Sequence, residues 1–312
     1  MSIQARSRPV ESLVSSYRFV LVDVFTDKPF SGNQLAVLPQ GDGLSDGQML
    51  AIAREFGYSE TTFVVPPTRR EATFRLRSFT PTAEVFGAGH NALGAWWMLA
   101  AQKKLGLAGP LTEVWQELGA RVLPLEIHAV DGRPTRIFMT QQPPTWGTIV
   151  SDHDRLAEAI GLDADDLAVD SLPAQVVSTG AAHLLVPVKT SAMLKHVHVD
   201  PAQLVAIARP LGCEGCYVFT LESDSPKAVA RARAFFPGIG IVEDAATGSA
   251  AGPLGAYLVA HGRVASGAFT VRQGVEMGRP SLIEVRADGA SIAVGGMCVI
   301  VGEGELCDPF EA

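Results

Sequence analysis

Three side chains in this sequence are suited to moving a proton: Glu60, His90 and Asp244. Glu60 stands in Tyr58-Ser59-Glu60-Thr61-Thr62-Phe63, where a helix stops and an apolar strand starts. Its carboxylate is either a solvated strand-end group or one turned into a site. His90 follows Gly87-Ala88-Gly89 at the first turn of a helix. The positive end of the helix dipole disfavours an imidazolium there, so a neutral ring suited to proton relay is expected near pH 7. Asp244 lies between Glu243 and the turn Thr247-Gly248-Ser249, where the plain alternative is an acid capping the next helix. Two glycine turns, one with Gly89 and His90 and the other with Gly248 and Ser249, each open a helix whose first amides can bind a small anion. One such turn alone is better explained by close packing of a helix on strands; two related turns favour a shared carboxylate site. Acids from two parts of the chain around a bound carboxylate form a proton-transfer pair, and apolar surroundings raise the pKa of one of them.

The elements that must position these residues occur twice. Arg75-Leu76-Arg77-Ser78-Phe79-Thr80-Pro81 returns as Arg231-Ala232-Arg233-Ala234-Phe235-Phe236-Pro237, half the 312-residue length further on. Each copy leads through an acid into a glycine turn and then a small-residue apolar helix, containing Leu93-Gly94-Ala95 in one and Leu254-Gly255-Ala256 in the other. Two copies of one unit predict two similar lobes with a cleft between them.

Strands are expected at 17–23 and 35–38, joined as a hairpin through Pro29, Ser31 and Gly32, and at 61–65 and 74–79. Ser45 caps a helix over 48–56 that Gly57 stops, and residues 91–101 form a helix apolar nearly all round, which belongs inside the protein. The second half repeats the plan, with strands at 175–177, 184–188, 217–220 and 228–235 and helices at 202–208 and 249–261. Pro253 falls in about the first turn of the last helix, where a missing amide costs little. A helix over 154–160 is capped by Ser151 or Asp152. Strands at 269–272, 281–286 and 292–301 close the chain, and pattern does not decide whether one of them returns to the first half. The turn-rich segment 141–147 divides the halves.

With 47% hydrophobic and 19% charged residues the chain can bury a large core, which excludes a mostly disordered protein. A net charge of −8 without a basic run argues against nucleic acid or an anionic membrane as the main partner. No apolar run approaches the roughly 20 residues of a membrane span, and residues 1–16 lack the apolar core of a signal peptide. The expectation is a cytoplasmic protein with a mobile N-terminal extension. Cys213-Glu214-Gly215-Cys216 has redox or zinc spacing, but no second pair accompanies it, so these read as turn cysteines; Cys298 and Cys307 read as structural, and no metal is expected. Gly87-Ala88-Gly89-His90-Asn91-Ala92 matches the G-x-G-x-x-G/A dinucleotide fingerprint. Its flanking strands are short and alternating and no βαβ unit surrounds it, so a nicotinamide cofactor is not expected.

Several motifs in one order carry a resemblance. They are Asp23-Val24-Phe25-Thr26-Asp27 with Gly32-Asn33, Ser59-Glu60-Thr61-Thr62-Phe63-Val64, Phe79-Thr80-Pro81 with Gly89-His90, Glu243-Asp244 with Ala246-Thr247-Gly248-Ser249-Ala250-Ala251-Gly252-Pro253-Leu254, and Gln273-Gly274-Val275-Glu276-Met277-Gly278-Arg279-Pro280-Ser281. Through them the chain resembles the phenazine-biosynthesis PhzF-like family over about residues 17–302. The resemblance implies a diaminopimelate-epimerase-like α+β fold of two pseudo-symmetric lobes, 17–146 and 147–312, each a mostly antiparallel barrel-like sheet around a central apolar helix. It also implies cofactor-independent isomerisation of a small unsaturated cyclic amino acid or related carboxylate, similar to trans-2,3-dihydro-3-hydroxyanthranilate isomerase. In such enzymes the residue matching Glu60 takes a proton from one ring carbon and returns it at another. Those matching Asp244 and His90 assist, and the turns matching Gly89-His90 and Gly248-Ser249 hold the substrate carboxylate. A homodimer is the common assembly. Ala245 and Asn91 replace prolines common in the family, which implies looser turns, and neither turn holds a cysteine, so a two-cysteine racemase mechanism is not expected. The competing class is a small-molecule or partner-binding protein that keeps the cleft without the reaction; retention of Glu60, His90 and Asp244 favours the enzyme.

Overall fold

A computed structural model of the chain describes residues 16–87, 89–167, 169, 171–223 and 225–307. In chain order the first half forms β1 (Ser16–Val24), β2 (Asn33–Leu38), α1 (Asp46–Phe56), β3 (Thr61–Val65), β4 (Phe74–Phe79), β5 (Glu84–Val85), α2 (His90–Ala101), β6 (Leu111–Leu118), β7 (Arg121–Val130), β8 (Arg133–Thr140) and β9 (Thr145–Ile149). The second forms α3 (His153–Ile160), β10 (Gln175–Ser178), β11 (Ala182–Pro187), α4 (Ser191–His196), α5 (Pro201–Ala208), β12 (Cys216–Thr220), β13 (Ala230–Phe236), β14 (Ile241–Asp244), α6 (Gly248–Ala260), β15 (Gly267–Gln273), β16 (Ser281–Asp288), β17 (Ser291–Gly296) and β18 (Cys298–Cys307). The architecture is mixed α+β, with the described strands joined in one hydrogen-bonded network. Residues 1–15, most of the expected extension, lie outside the described residues, and Ser16 already belongs to β1. No described helix is long and apolar enough to cross a membrane.

The strand pairing repeats between the halves. β1 to β4 pair in turn antiparallel, parallel and antiparallel, and β10 to β13 do the same. β4 then pairs in parallel with β6, which continues antiparallel through β7 to β8, as β13 does with β15, β16 and β17. β8 meets β17 and joins the two series. The last strands are exchanged, because β9 pairs with β10 while β18 returns to β1. A division at 146/147 therefore falls inside β9. Residues 292–301, expected as one strand, are two: the chain breaks at Met297, between a strand bound to β16 and one bound to β1. Residues 111–140, to which pattern assigns no element, form β6, β7 and β8, whose alternation is blurred by charged residues and Pro124.

α2 packs against β1, β2, β3, β8 and β18, and α6 against β10, β11, β16 and β17. Residues 90–100 of α2 are all buried, Trp96 and Met98 completely. Fully burying a large apolar side chain contributes about 1.5–3 kcal/mol, which is why a helix apolar on every face sits here. Close approach is possible because a Cβ on Gly94 would stand 2.6 Å from Leu35 and 2.8 Å from Val24, and one on Gly255 2.6 Å from Val285. Pro253 is the sixth residue of α6 and not in its first turn, so the Ser249 carbonyl loses its usual helical donor. In the same turn the Gly248 carbonyl accepts from Gln141 Nε2 at 3.1 Å.

The repeated arginines explain how each helix entrance is set. Arg77 grips Glu84 through two hydrogen bonds of 2.8 and 2.6 Å, and Arg233 grips Glu243 through two of 2.8 Å. Each guanidinium also lies over the phenylalanine two residues on, Phe79 or Phe235, at 5.2 and 4.9 Å. These planar, charge-assisted forks pin β5 to β4 and β14 to β13, immediately before the two glycine turns. Gly94→Val and Gly255→Val should each cost about 1–3 kcal/mol by overpacking. Urea unfolding should give lower midpoints at unchanged slope, and unaltered midpoints would contradict the close packing described.

Candidate active site

The Gly57 cap of α1, in the left-handed region at φ 63, turns the chain into Ser59 and Glu60 just before β3. On the opposite side β14 ends at Asp244 and α6 begins at Gly248. Glu60, Gly89, His90, Asp244, Gly248 and Ser249 all line one cavity of about 290 Å³, at the small end of small-molecule sites. The sequence-expected site residues are thus brought together. The dinucleotide alternative has no support in the topology, since the Gly87 turn follows a two-residue strand antiparallel to β4.

A hydrogen-bond chain beside the cavity links the halves. Asn33 Nδ2 donates to Asp244 Oδ1 at 2.8 Å and to the Ala246 carbonyl at 2.9 Å, which leaves Asn33 Oδ1 to accept from Ser59 Oγ at 3.4 Å. Ser59 Oγ also lies 3.4 Å from His90 Nε2. Thr247 Oγ1 donates to Asp244 Oδ2 at 2.5 Å, and Gln273 Nε2 donates to Thr247 Oγ1 at 3.0 Å and to the Asp244 carbonyl at 2.7 Å. Tyr217 in turn donates to Gln273 Oε1 at 2.9 Å.

Asn33 is itself held from the other half. Arg279 donates to Asp23 Oδ1 at 2.6 Å and to the carbonyls of Gly32 and Ser31 at 2.8 and 2.9 Å, clamping the turn before Asn33. Phe25 takes a left-handed backbone conformation, φ 63, and its ring fills the place a side chain at Gly248 would need, 2.9 Å from that Cβ. Such strain, about 1–3 kcal/mol, persists only where surrounding contacts enforce it. Asn33, Ser59 and Gln273 escape the sequence reading as site residues, although all three lie within its ordered motifs.

The four outer helices, α1, α3, α4 and α5, each have a side-chain cap at the N-terminus, whereas α2 and α6 have none. Both uncapped ends open on the cavity, where the first helical amides lack internal acceptors. Gly89 itself is an exception. Its amide donates to Asn91 Oδ1 at 2.7 Å while Asn91 Nδ2 donates to the Gly87 carbonyl at 3.0 Å. Asn91 therefore braces the turn, contrary to the looser turn expected, and the amide available for an anion is not that of Gly89.

Burial, reinforced by the nearby charge of Asp244, pushes the Glu60 carboxyl up to about 8, and its Oε2 is buried without a hydrogen-bond partner. Burial also raises Asp244, to about 6, against hydrogen bonds from Thr247, Asn33 and the Ala245 amide that favour its ionised form. Burial lowers His90 to about 4, so the ring is neutral at pH 7. Two acids are thus held in opposite protonation states near neutrality, the arrangement that acid/base chemistry needs. Cys213 and Cys216 are buried free thiols raised to about 11 and about 12, and neither can act as a thiolate. Among the described residues no group of three or more His, Cys, Asp and Glu could hold a metal. Because folding raises the Glu60 pKa, its protonated form favours the fold at low pH, and that contribution is lost as pH rises through about 8. Glu60→Gln should therefore raise Tm more at pH 9 than at pH 5; an equal effect at both would contradict burial of the carboxyl.

A family model described as phenazine biosynthesis-like protein matches residues 22–304. An uncharacterised isomerase of Clostridium acetobutylicum is 31% identical over 94% of this chain and 99% of its own length. The trans-2,3-dihydro-3-hydroxyanthranilate isomerase of Pseudomonas aeruginosa is 34% identical over 88% of this chain and 91% of its own. The crystal structure of a Bacillus anthracis phenazine biosynthesis protein of the PhzF family superposes with a TM-score of 0.84, at 28% identity, covering 94% of this chain and 99% of that one. The chain belongs to the phenazine biosynthesis-like family and, like its named relatives, is an isomerase.

Proposed function

We propose that the protein is a cofactor-independent isomerase that moves a proton on a small unsaturated cyclic amino acid or related carboxylate, with chemistry similar to that of trans-2,3-dihydro-3-hydroxyanthranilate isomerase. The observation that carries this reading is Glu60, whose buried and unpartnered oxygen shares a cavity with Asp244 and two uncapped helix N-termini. In the mechanism the substrate carboxylate binds the first-turn amides of α6, at Gly248 and Ser249, and the entrance of α2 at His90, where Gly89 gives close approach while its own amide stays with Asn91. Ionised Glu60 takes a proton from a ring carbon, the C–H electron pair shifts along the conjugated system, and protonated Glu60 returns the proton at another carbon. No net proton is gained or lost. A pKa near 8 makes Glu60 a stronger base than an ordinary carboxylate, while neutral His90 and hydrogen-bonded Asp244 steady the polar groups of the ring.

The repeated pairing supports the further reading that the halves are two pseudo-symmetric lobes, each a barrel-like sheet around its helix. We also infer a cytoplasmic homodimer that needs no metal, nucleic acid or membrane; dialysis against a chelator should leave turnover unchanged.

Two measurements test the proposed role of Glu60. In deuterium oxide the wild type should exchange label into a cyclic amino-acid substrate, and Glu60→Gln should lose at least about 100-fold in rate, the scale of general-base catalysis. Exchange at the wild-type rate in the variant would sink the assignment. For wild type, kcat/KM should rise about tenfold per pH unit below about 8 and level off above it, since only ionised Glu60 can accept the proton.

A further inference from the structure

A second histidine meets the same cavity from the other wall. β11 is an apolar strand in which Leu184 and Val186 face the outer layer of α3 and α5, while Leu185 faces the core around α6. The alternation of a strand puts His183 on the Leu185 side. There the imidazole is 7% exposed, lines the cavity and meets Phe236, another lining residue, edge to face at 5.3 Å. Its Nε2 is buried with no hydrogen-bond partner among the described residues. A buried polar atom left so is costly, and the mechanism gives this one no task.

We propose that His183 is a specificity-determining residue, forming one hydrogen bond with a hydroxyl that the substrate ring carries at a position not adjacent to its carboxylate. The inference rests on the proposed cyclic-carboxylate site. The carboxylate is met by helix amides, so the group near His183 is a different one. A neutral imidazole offers one donor and one acceptor, and a hydroxyl complements either, whereas a carboxylate matches only the donor. Phe236 supplies the apolar face on which the ring lies. Burial holds His183 neutral at pH 7, as this requires.

Calorimetric titration with anthranilate and 3-hydroxyanthranilate tests the proposal on wild type, His183→Leu and His183→Gln. Wild type should bind the hydroxylated ligand about tenfold more tightly, the worth of one hydrogen bond. Leucine should abolish that preference while leaving the anthranilate Kd within about twofold, and glutamine should restore part of it. A preference retained by the leucine variant, no preference in wild type, or equal weakening of both ligands by leucine would each overturn the role of His183 while leaving the cavity a carboxylate site. Wild type binding neither ligand would overturn the cyclic-carboxylate reading, and the histidine proposal with it.

Discussion

A helix buried on every side can present unpaired polar groups only at its ends. Between their ends, and apart from the break at Pro253, α2 and α6 satisfy their amides and carbonyls internally, and their apolar faces fill the cores of the surrounding strands. The free amides of their first turns are the polar valence left over. Neither helix spends a side chain on capping them, unlike the peripheral helices, and both first turns open into the same cavity. Much else in the fold serves that geometry, including the glycines that let strands approach, the Arg–Glu forks that set where each turn begins, and Arg279 reaching across to clamp the segment before Asn33.

The repeated strand pairing supplies matched walls, and the proposed chemistry depends on where they differ. Strand register pairs Ser78 with Val85 in one half and Ala234 with Asp244 in the other, so the position of the acid Asp244 is held by an apolar residue in the first copy. Thr61 opposite Phe79 corresponds to Cys216 opposite Phe235, which sets Glu60 against Gly215. A Cβ on Gly215 would stand 1.9 Å from the Phe235 carbonyl, so the second copy cannot hold a side chain there without moving backbone. Each acid therefore occurs once, and the two come from opposite halves. Their unequal surroundings, an unpartnered oxygen for Glu60 and three donors for Asp244, drive their pKa values apart.

Most central elements were legible because period and punctuation agree with the final packing. Ser45 with Gln48 and Gly57 bound α1 as capping chemistry requires, and the all-apolar pattern of residues 91–101 marked a helix that is indeed enclosed. β6 to β8 escaped the pattern because Pro124 and interspersed charges blur their alternation, although they form two consecutive antiparallel hairpins with tight turns after Leu118 and Val130. The break at Met297 was equally hidden: both sides are extended and apolar, and only their separate partners, β16 and β1, reveal two strands. Pro253 lies beyond the first turn from either the expected start at 249 or the observed start at Gly248, so its missing amide does remove a helical hydrogen bond.

By itself the sequence determined the repeat, the two buried helices and the glycine turns, because these rest on residue type and local spacing, while the resemblance to a family singled out Glu60 and Asp244 as the candidate acids. Tertiary structure decided that Glu60 is buried with an unpaired oxygen, that Asn91 has taken the Gly89 amide, that the halves exchange their last strands and that His183 looks into the cavity. Desolvation and hydrogen-bond partnership are properties of neighbours brought together in space. A carboxylate written in the chain has an ordinary pKa until the residues that exclude water from it have folded around it.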